Sequence, residues 1–326
     1  MPSSSKLVNT SEAFELRLVH YLGNHDATCP FVLECETFIS KGDAPSLLRA
    51  IFEHRPALDV LFDNQHLNQS NSFVNALGNA GFGSSKDGIH AFSLLCALLD
   101  RIPNTDDSKQ VMGLIIEKVE GYQISKEENG DAQNGDKANL TQSIVESKLT
   151  MLCALYNLRN DGEEKCWILA RILHSCAFGG DDECVLSLLP GRDSTLGTLL
   201  EKNNLGNLLA GLEGNQSLHS GYKRELYLSA SNASAKVEEV CLEKGMEKEA
   251  SIANGSKQRF LLKMLSTYSN AEEVDEYALS AAKKAAVGAI CDPISLFHQQ
   301  RCIMSLIPVI ALEKDSGKCF DTHENK

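Results

Sequence analysis

Apolar residues in the last quarter of this chain recur at three- and four-residue intervals, and no stretch alternates convincingly at every second position. Leu261, Met264, Leu265 and Tyr268 stand at i, i+3, i+4 and i+7. Val274, Tyr277, Ala278, Ala281, Ala282 and Ala285 repeat the pattern in the next segment. A helix turns once per 3.6 residues, so each set falls on one face. Such a face has nothing of its own to cover it, and neighbouring helices must stack. Residues 257–314 therefore read as three or four consecutive amphipathic helices.

The same period runs through most of the chain. Ala13–Leu22 reads as a short helix, and Phe31–Ile39 is compatible with helix or strand. Pro45 is placed to open a helix through Phe52, and Pro56 interrupts it or starts the next. Gly78, Gly81, Gly83 and Gly88 suggest a loop. In Ile89–Ile102, Ile89, Phe92, Leu95, Cys96 and Leu99 share a face, and Pro103-Asn104 stops the helix. Asp106–Val119 aligns Val111, Leu114, Ile115 and Lys118. Thr141–Leu158 carries the strongest pattern, with Leu149, Leu152, Cys153 and Tyr156 in register. Asn160-Asp161-Gly162 turns the chain, and Glu163–Phe178 returns as the second arm of a hairpin. Shorter helices are expected at 181–189 and 193–201, a Gly- and Asn-rich loop at 203–221, and a helix from Tyr222 to about Val240.

Two stretches, near 125–139 and 243–256, are polar and charged and read as mobile insertions, because so little apolar surface cannot offset the entropy of ordering them. Recurrent helix–turn–helix units without a tight repeat predict an all-α fold, an irregular α-solenoid of helical hairpins with no significant sheet. The expected organisation is an N-terminal helical segment with loops over 1–87, a helical-repeat region over 88–315 and a polar tail over 316–326.

Charge and cysteine usage narrow the function classes. A net charge of −13 argues against generic wrapping of DNA or RNA, since an acidic chain gains nothing from counterion release. Eleven cysteines are an odd number, and Cys96, Cys153, Cys166 and Cys176 lie among Leu, Ile and Ala at helical spacing. They read as small buried hydrophobes, not as a disulfide framework. The Ser-rich opening does not resemble a secretory signal, and no apolar run approaches the roughly 20 residues of a membrane span. The chain is expected in the cytoplasm, where sequons such as Asn68 and Asn139 carry no glycan.

No motif predicts chemistry. Gly78, Gly81 and Gly83 give G-x-x-G-x-G, not a nucleotide-binding order, and Ser84-Ser85-Lys86 is not a phosphate-loop end. His174, Cys176 and Cys184 raise a metal site, but no C-x-x-C pair exists, and Cys291 and Cys302 stand apart. The histidines at 20, 25, 54, 66, 90, 174, 219, 298 and 323 form no recognisable frame, and G-x-S-x-G is absent. The carboxylate pairs Glu127-Glu128, Asp181-Asp182 and Glu272-Glu273 suit helix first turns. Lys223-Arg224, Lys257, Arg259 and Lys263 read as a solvated helix face, with an acidic partner site as the alternative. Catalytic, cofactor-binding and metal residues are therefore each expected to be none.

Family resemblance suggests a role. Thr141–Leu173, and Lys148–Leu158 (KLTMLCALYNL) above all, resembles the central helical hairpin of the subunit-m family of eukaryotic translation initiation factor 3. Gly221–Ala230 (GYKRELYLSA) looks like that family's following helix. Phe260–Asp315 is similar in order and spacing, through Asp292-Pro293, Leu296-Phe297 and Ile307–Asp315. The family belongs to the PCI proteins of the proteasome lid, the COP9 signalosome and this factor. The resemblance implies an arc of helical repeats followed by a winged helix, and a non-catalytic scaffold in assembly of the small-subunit pre-initiation complex. It implies no cofactor and no membrane. The implied partners are the other subunits of initiation factor 3 and, through them, the small ribosomal subunit, with no direct sequence-specific nucleic-acid contact. The alternatives are a PCI subunit of the COP9 signalosome or proteasome lid, and a helical enzyme with an unrecognised thiol site. The chain departs from the family after Lys314, where Ser316–Lys326 is polar. The winged helix is expected to be missing, and residues from about Leu306 onward are expected to fray.

Overall fold

The computed structural model describes residues 10–23, 26, 28–62, 87–123, 134–179, 182–189, 218–268, 274 and 276–291. Among them are twelve α-helices, one 3-10 turn and no strand, so the fold is all-α. The chain divides into two compact units, residues 1–158 and 159–326. The boundary read from the sequence at residue 87 falls inside the first.

The first unit holds α1 (Thr10–Leu22), α2 (Pro30–Lys41), α3 (Ala44–Glu53), α4 (Arg55–Phe62), α5 (Asp87–Ala97), a 3-10 turn (Leu98–Arg101), α6 (Thr105–Gly121) and α7 (Asn134–Leu158). The segment at 31–39 is helical, and the reason is local. Pro30 stands at its first position, where a missing N–H costs nothing. Gly42, at φ 67°, ends it in the left-handed region. There Gly42 N–H donates to Ile39 O and Asp43 N–H to Phe38 O, both at 3.0 Å, satisfying the last carbonyls. Asp43 then caps α3 by accepting from Ser46 N–H at 3.1 Å. Two helices are thus joined through two residues.

The helices of this unit pack beyond their immediate neighbours: α1 meets α2 and α4, α3 meets α6, and α5 meets α7. The core is built of Leu22, Leu48, Ile51, Leu95, Leu99, Met112 and Ile115, with Phe52 and Phe92 edge to face at 6.0 Å. Leu149, Leu152, Cys153 and Tyr156 of α7 are all buried.

Three expectations about this unit are corrected. Gly88 lies in α5, not in a loop, and a Cβ there would strike the Leu61 carbonyl, so its smallness lets α5 approach the end of α4. Gly78, Gly81 and Gly83 lie outside the described residues. Helix α7 begins at Asn134, so residues 134–139 belong to it, while 125–133 lie outside the described residues. In α6 the buried stripe is Ser108, Val111, Met112, Ile115, Ile116 and Val119, rotated from the predicted one and leaving Leu114 and Lys118 at its edge.

The second unit holds α8 (Gly162–Gly179), α9 (Asp182–Leu186), α10 (Ser220–Glu243), α11 (Glu247–Leu265) and α12 (Glu276–Cys291). Asp161 Oδ1 accepts from Glu163 N–H at 2.9 Å and Glu164 N–H at 3.0 Å, capping α8. Helix α8 packs on α10, α10 on α11, and α11 on α12, with α9 against α8 and α10. Leu261, Met264, Leu265 and Tyr268 are buried, as are Ala278, Ala281 and Ala285; Val274 and Ala282 are half-buried.

The predicted insertion at 243–256 is overturned. Gly245, at φ 71°, ends α10 with its N–H on Leu242 O at 3.1 Å and Met246 N–H on Cys241 O at 2.8 Å. Helix α11 starts two residues later. Its Ala250 and Ala253 sit in a cluster with Val185, Leu186, Leu189, Val237, Val240 and Cys241. Two small side chains per turn suffice here because they let the two helices come close. The helix expected at 193–201, the loop through 217 and the frayed end from Leu306 lie outside the described residues.

Candidate functional site

The second unit gathers most of the residues singled out from the sequence, and its organising feature is the α10–α11 pair. Arg224 near the start of α10 reaches the turn after α11, and Ser231 reaches Lys257, so the two helices run antiparallel. Arg224 Nε donates to Thr267 Oγ1 at 3.0 Å and Nη2 to Thr267 O at 3.1 Å, while its guanidinium lies 4.0 Å over the Tyr268 ring. Ser231 Oγ donates to Lys257 O at 3.1 Å, and Lys257 Nζ pairs with Glu238. Arg259 stacks over Phe260 at 5.0 Å. Arg224 and Lys257 therefore tie α10 to α11 and its following turn, which corrects the reading of a simple solvated face at these two positions, while Arg259 is exposed as expected. Arg171 pairs with Glu225 at 3.3 Å, joining α8 to α10.

Glu164, missed in the sequence, is buried in the first turn of α8 and accepts from Arg159 Nε at 2.7 Å. A carboxylate so deeply placed needs such a partner. The signal was its position in a capped first turn, where any acidic residue is expected for the macrodipole alone.

The trio His174, Cys176 and Cys184 separates. The His174 ring tilts against Phe178, with centroids 5.0 Å apart. Cys176 and Cys184 come together, Sγ to Sγ at 3.2 Å, as two thiols. The Cys176 thiol donates to Cys184 O at 3.0 Å, and Ser187 Oγ donates to the same carbonyl at 2.6 Å. Among the described residues no group of three or more His, Cys, Asp or Glu side chains could hold a metal ion. The other described histidines are dispersed: His20 meets Glu36 at 3.3 Å, His54 stacks on Phe31 at 4.1 Å, His90 lies in α5, and His219 Nδ1 accepts from Gly221 N–H at 3.1 Å. Asp182 pairs with Lys244 at 2.9 Å. Glu127-Glu128, Asp181 and Glu272-Glu273 lie outside the described residues, as does Cys302.

Two of the buried thiols differ from what a nucleophile needs. Burial pushes the Cys35 thiol up to about 12 and the Cys166 thiol up to about 11. A thiol that high holds almost no thiolate at neutral pH. In the first unit, a cleft of about 280 Å³ opens at the α2–α3 turn between Ser40, Gly42, Leu98 and Arg101. Of its charged lining residues Glu15, Lys41, Asp43 and Arg101, Glu15 and Arg101 pair with each other. Among the described residues no helix is long and apolar enough to cross a membrane.

The chain matches no family model, no curated protein and no solved structure.

Proposed function

We propose that this chain is a non-catalytic scaffold subunit of the eukaryotic translation initiation factor 3 complex, acting in the cytoplasm in assembly of the small-subunit pre-initiation complex. Resemblance and packing support this reading together. The segments similar to the subunit-m family, Thr141–Leu173, Gly221–Ala230 and the part of Phe260–Asp315 within the described residues, fall on α7, α8, α10, α11 and α12. Their apolar positions are the residues that bury: Leu149, Leu152 and Tyr156, then Leu226 and Tyr227, then Leu261, Met264 and Leu265.

The single observation carrying most weight is the α10–α11 pair. Two of its cations brace the pair internally, Arg224 through Thr267 and Lys257 through Glu238. Rigid helical pairs of this kind present their outer faces to partners, and Leu242, Ile252 and Val287 are large apolar side chains left exposed on α10, α11 and α12. The acidic net charge fits contact through protein subunits in preference to bare RNA.

The test is affinity purification of the tagged full chain from eukaryotic cells, with the captured proteins identified by mass spectrometry. Stoichiometric recovery of initiation factor 3 subunits is expected. Recovery of proteasome-lid or signalosome subunits instead would transfer the chain to a different PCI complex.

A further inference from the structure

From the 3.2 Å approach of Cys176 and Cys184 we infer a dithiol modification site that closes to an intramolecular disulfide by exchange with a low-molecular-weight disulfide such as oxidised glutathione. This inference is independent of the complex in which the chain works.

The pair is held by packing from both sides. Cys176 sits in the last turns of α8 and is fully buried, while Cys184 sits in the middle of α9 and is half-buried. Helix α9 is anchored to α10 twice over. Val185, Leu186 and Leu189 join the cluster of Val237, Val240 and Cys241, and Asp182 pairs with Lys244. The Cys184 carbonyl takes both the Cys176 thiol and the Ser187 hydroxyl, which holds it beside the Cys176 side chain. A disulfide needs the sulfurs about 2.05 Å apart, so closure asks for a little over 1 Å of travel.

Exposure sets the order of events. Cys184 meets solvent and attacks first; its thiolate displaces one thiol from the reagent disulfide, leaving a mixed disulfide on Cys184. Cys176, buried behind it, then attacks Cys184 Sγ and expels the second thiol. Two thiol hydrogens and two electrons pass from the protein to the reagent, one disulfide breaks and one forms. Cys35 and Cys166, by contrast, are buried and restrained by their raised pKa.

The chain offers a direct readout, since no Lys or Arg separates Arg171 from Arg192 and both cysteines lie in one tryptic peptide, Ile172–Arg192. Folded full-length protein is treated with oxidised glutathione, alkylated under denaturing conditions and mapped by mass spectrometry. The expected product is that peptide with two hydrogens lost and neither cysteine alkylated, while the peptides carrying Cys35 and Cys166 are alkylated. Treatment with dithiothreitol restores both alkylation sites. In Cys176→Ser the expected product is a glutathione adduct retained on Cys184, and in Cys184→Ser Cys176 remains unmodified. The wild-type map decides the matter even if a variant misfolds. Full alkylation of both cysteines, a stable glutathione adduct on wild-type Cys184, or linkage of either to a third cysteine would each overturn the inference.

Discussion

The guanidinium of Arg224 lies 4.0 Å above the Tyr268 ring while its nitrogens donate to the side chain and the carbonyl of Thr267. One side chain at the start of α10 thereby closes the far end of the α10–α11 pair, where Gly245 closes the near end. The planar fork matters more than the charge, because a lysine ammonium cannot stack and bridge two acceptors together. Arg224→Ala is expected to lower unfolding free energy by about 1.5–3 kcal/mol, the range for hydrogen bonds to a charged group. Arg224→Lys is expected to recover only part of that. Denaturant titration checks both, and an alanine variant as stable as the wild type would contradict the bracing role.

Neighbouring residues of α11 should respond oppositely to charge. Ala253 is buried against Val237 and Val240, whereas Ile252 is half exposed to solvent. Ala253→Asp places an unpaired carboxylate in an apolar contact, and the cost is expected to exceed about 2 kcal/mol. Ile252→Asp should stay within about 0.5 kcal/mol. Equal effects in thermal or chemical unfolding would return residues 243–256 to the status of an insertion.

That stretch also marks the limit of what the sequence made legible. The long apolar stripes were readable because Leu, Met and Tyr at helical spacing leave few alternatives, as at Leu261 and Met264. Helix α11 hid its first half because its buried positions are Ala250 and Ala253, whose small side chains contribute little hydrophobic signal amid Glu and Lys. Gly245 was the missed clue: a glycine ending one helix and a new acidic first turn after Met246. The stripe of α6 differs from the expected one because both of its candidate faces carry aliphatic residues, and packing on α3, α7 and the 3-10 turn chooses between them. The Cys176–Cys184 pair was noticed by residue type, but spacing of eight residues across a helix end does not determine distance. The bracing of Arg224 by Thr267 joins residues more than forty apart, which periodicity cannot reveal.

Leu152 tests the core of the first unit. It is fully buried on α7, beside Leu149, Cys153 and Tyr156 in the sequence pattern. Leu152→Ala is expected to destabilise by about 2–5 kcal/mol through lost transfer energy and the cavity left behind. A loss below about 1 kcal/mol would place this face outside the core.

His54 stacks flat on Phe31, the planes inclined by 5°. Burial holds its pKa below 6.5, with Glu34 opposing the shift. Well above 6.5 both folded and unfolded states carry a neutral ring, so its contribution is complete there. As pH falls below 6.5 the unfolded chain binds the proton first, and stability declines until the folded ring also titrates. An NMR titration of the folded protein should therefore give a His54 midpoint below 6.5. A midpoint at or above that value would contradict the stacked, desolvated environment.

Sedimentation of cell extract through a sucrose gradient tests the scaffold proposal most directly, with the tagged chain followed alongside small ribosomal subunits and initiation factor 3. The chain is predicted to peak with the small subunit and to shift to the free factor, together with its other subunits, when high salt strips the factor from the ribosome. A chain that sediments alone, or with proteasome or signalosome particles under both conditions, would contradict it.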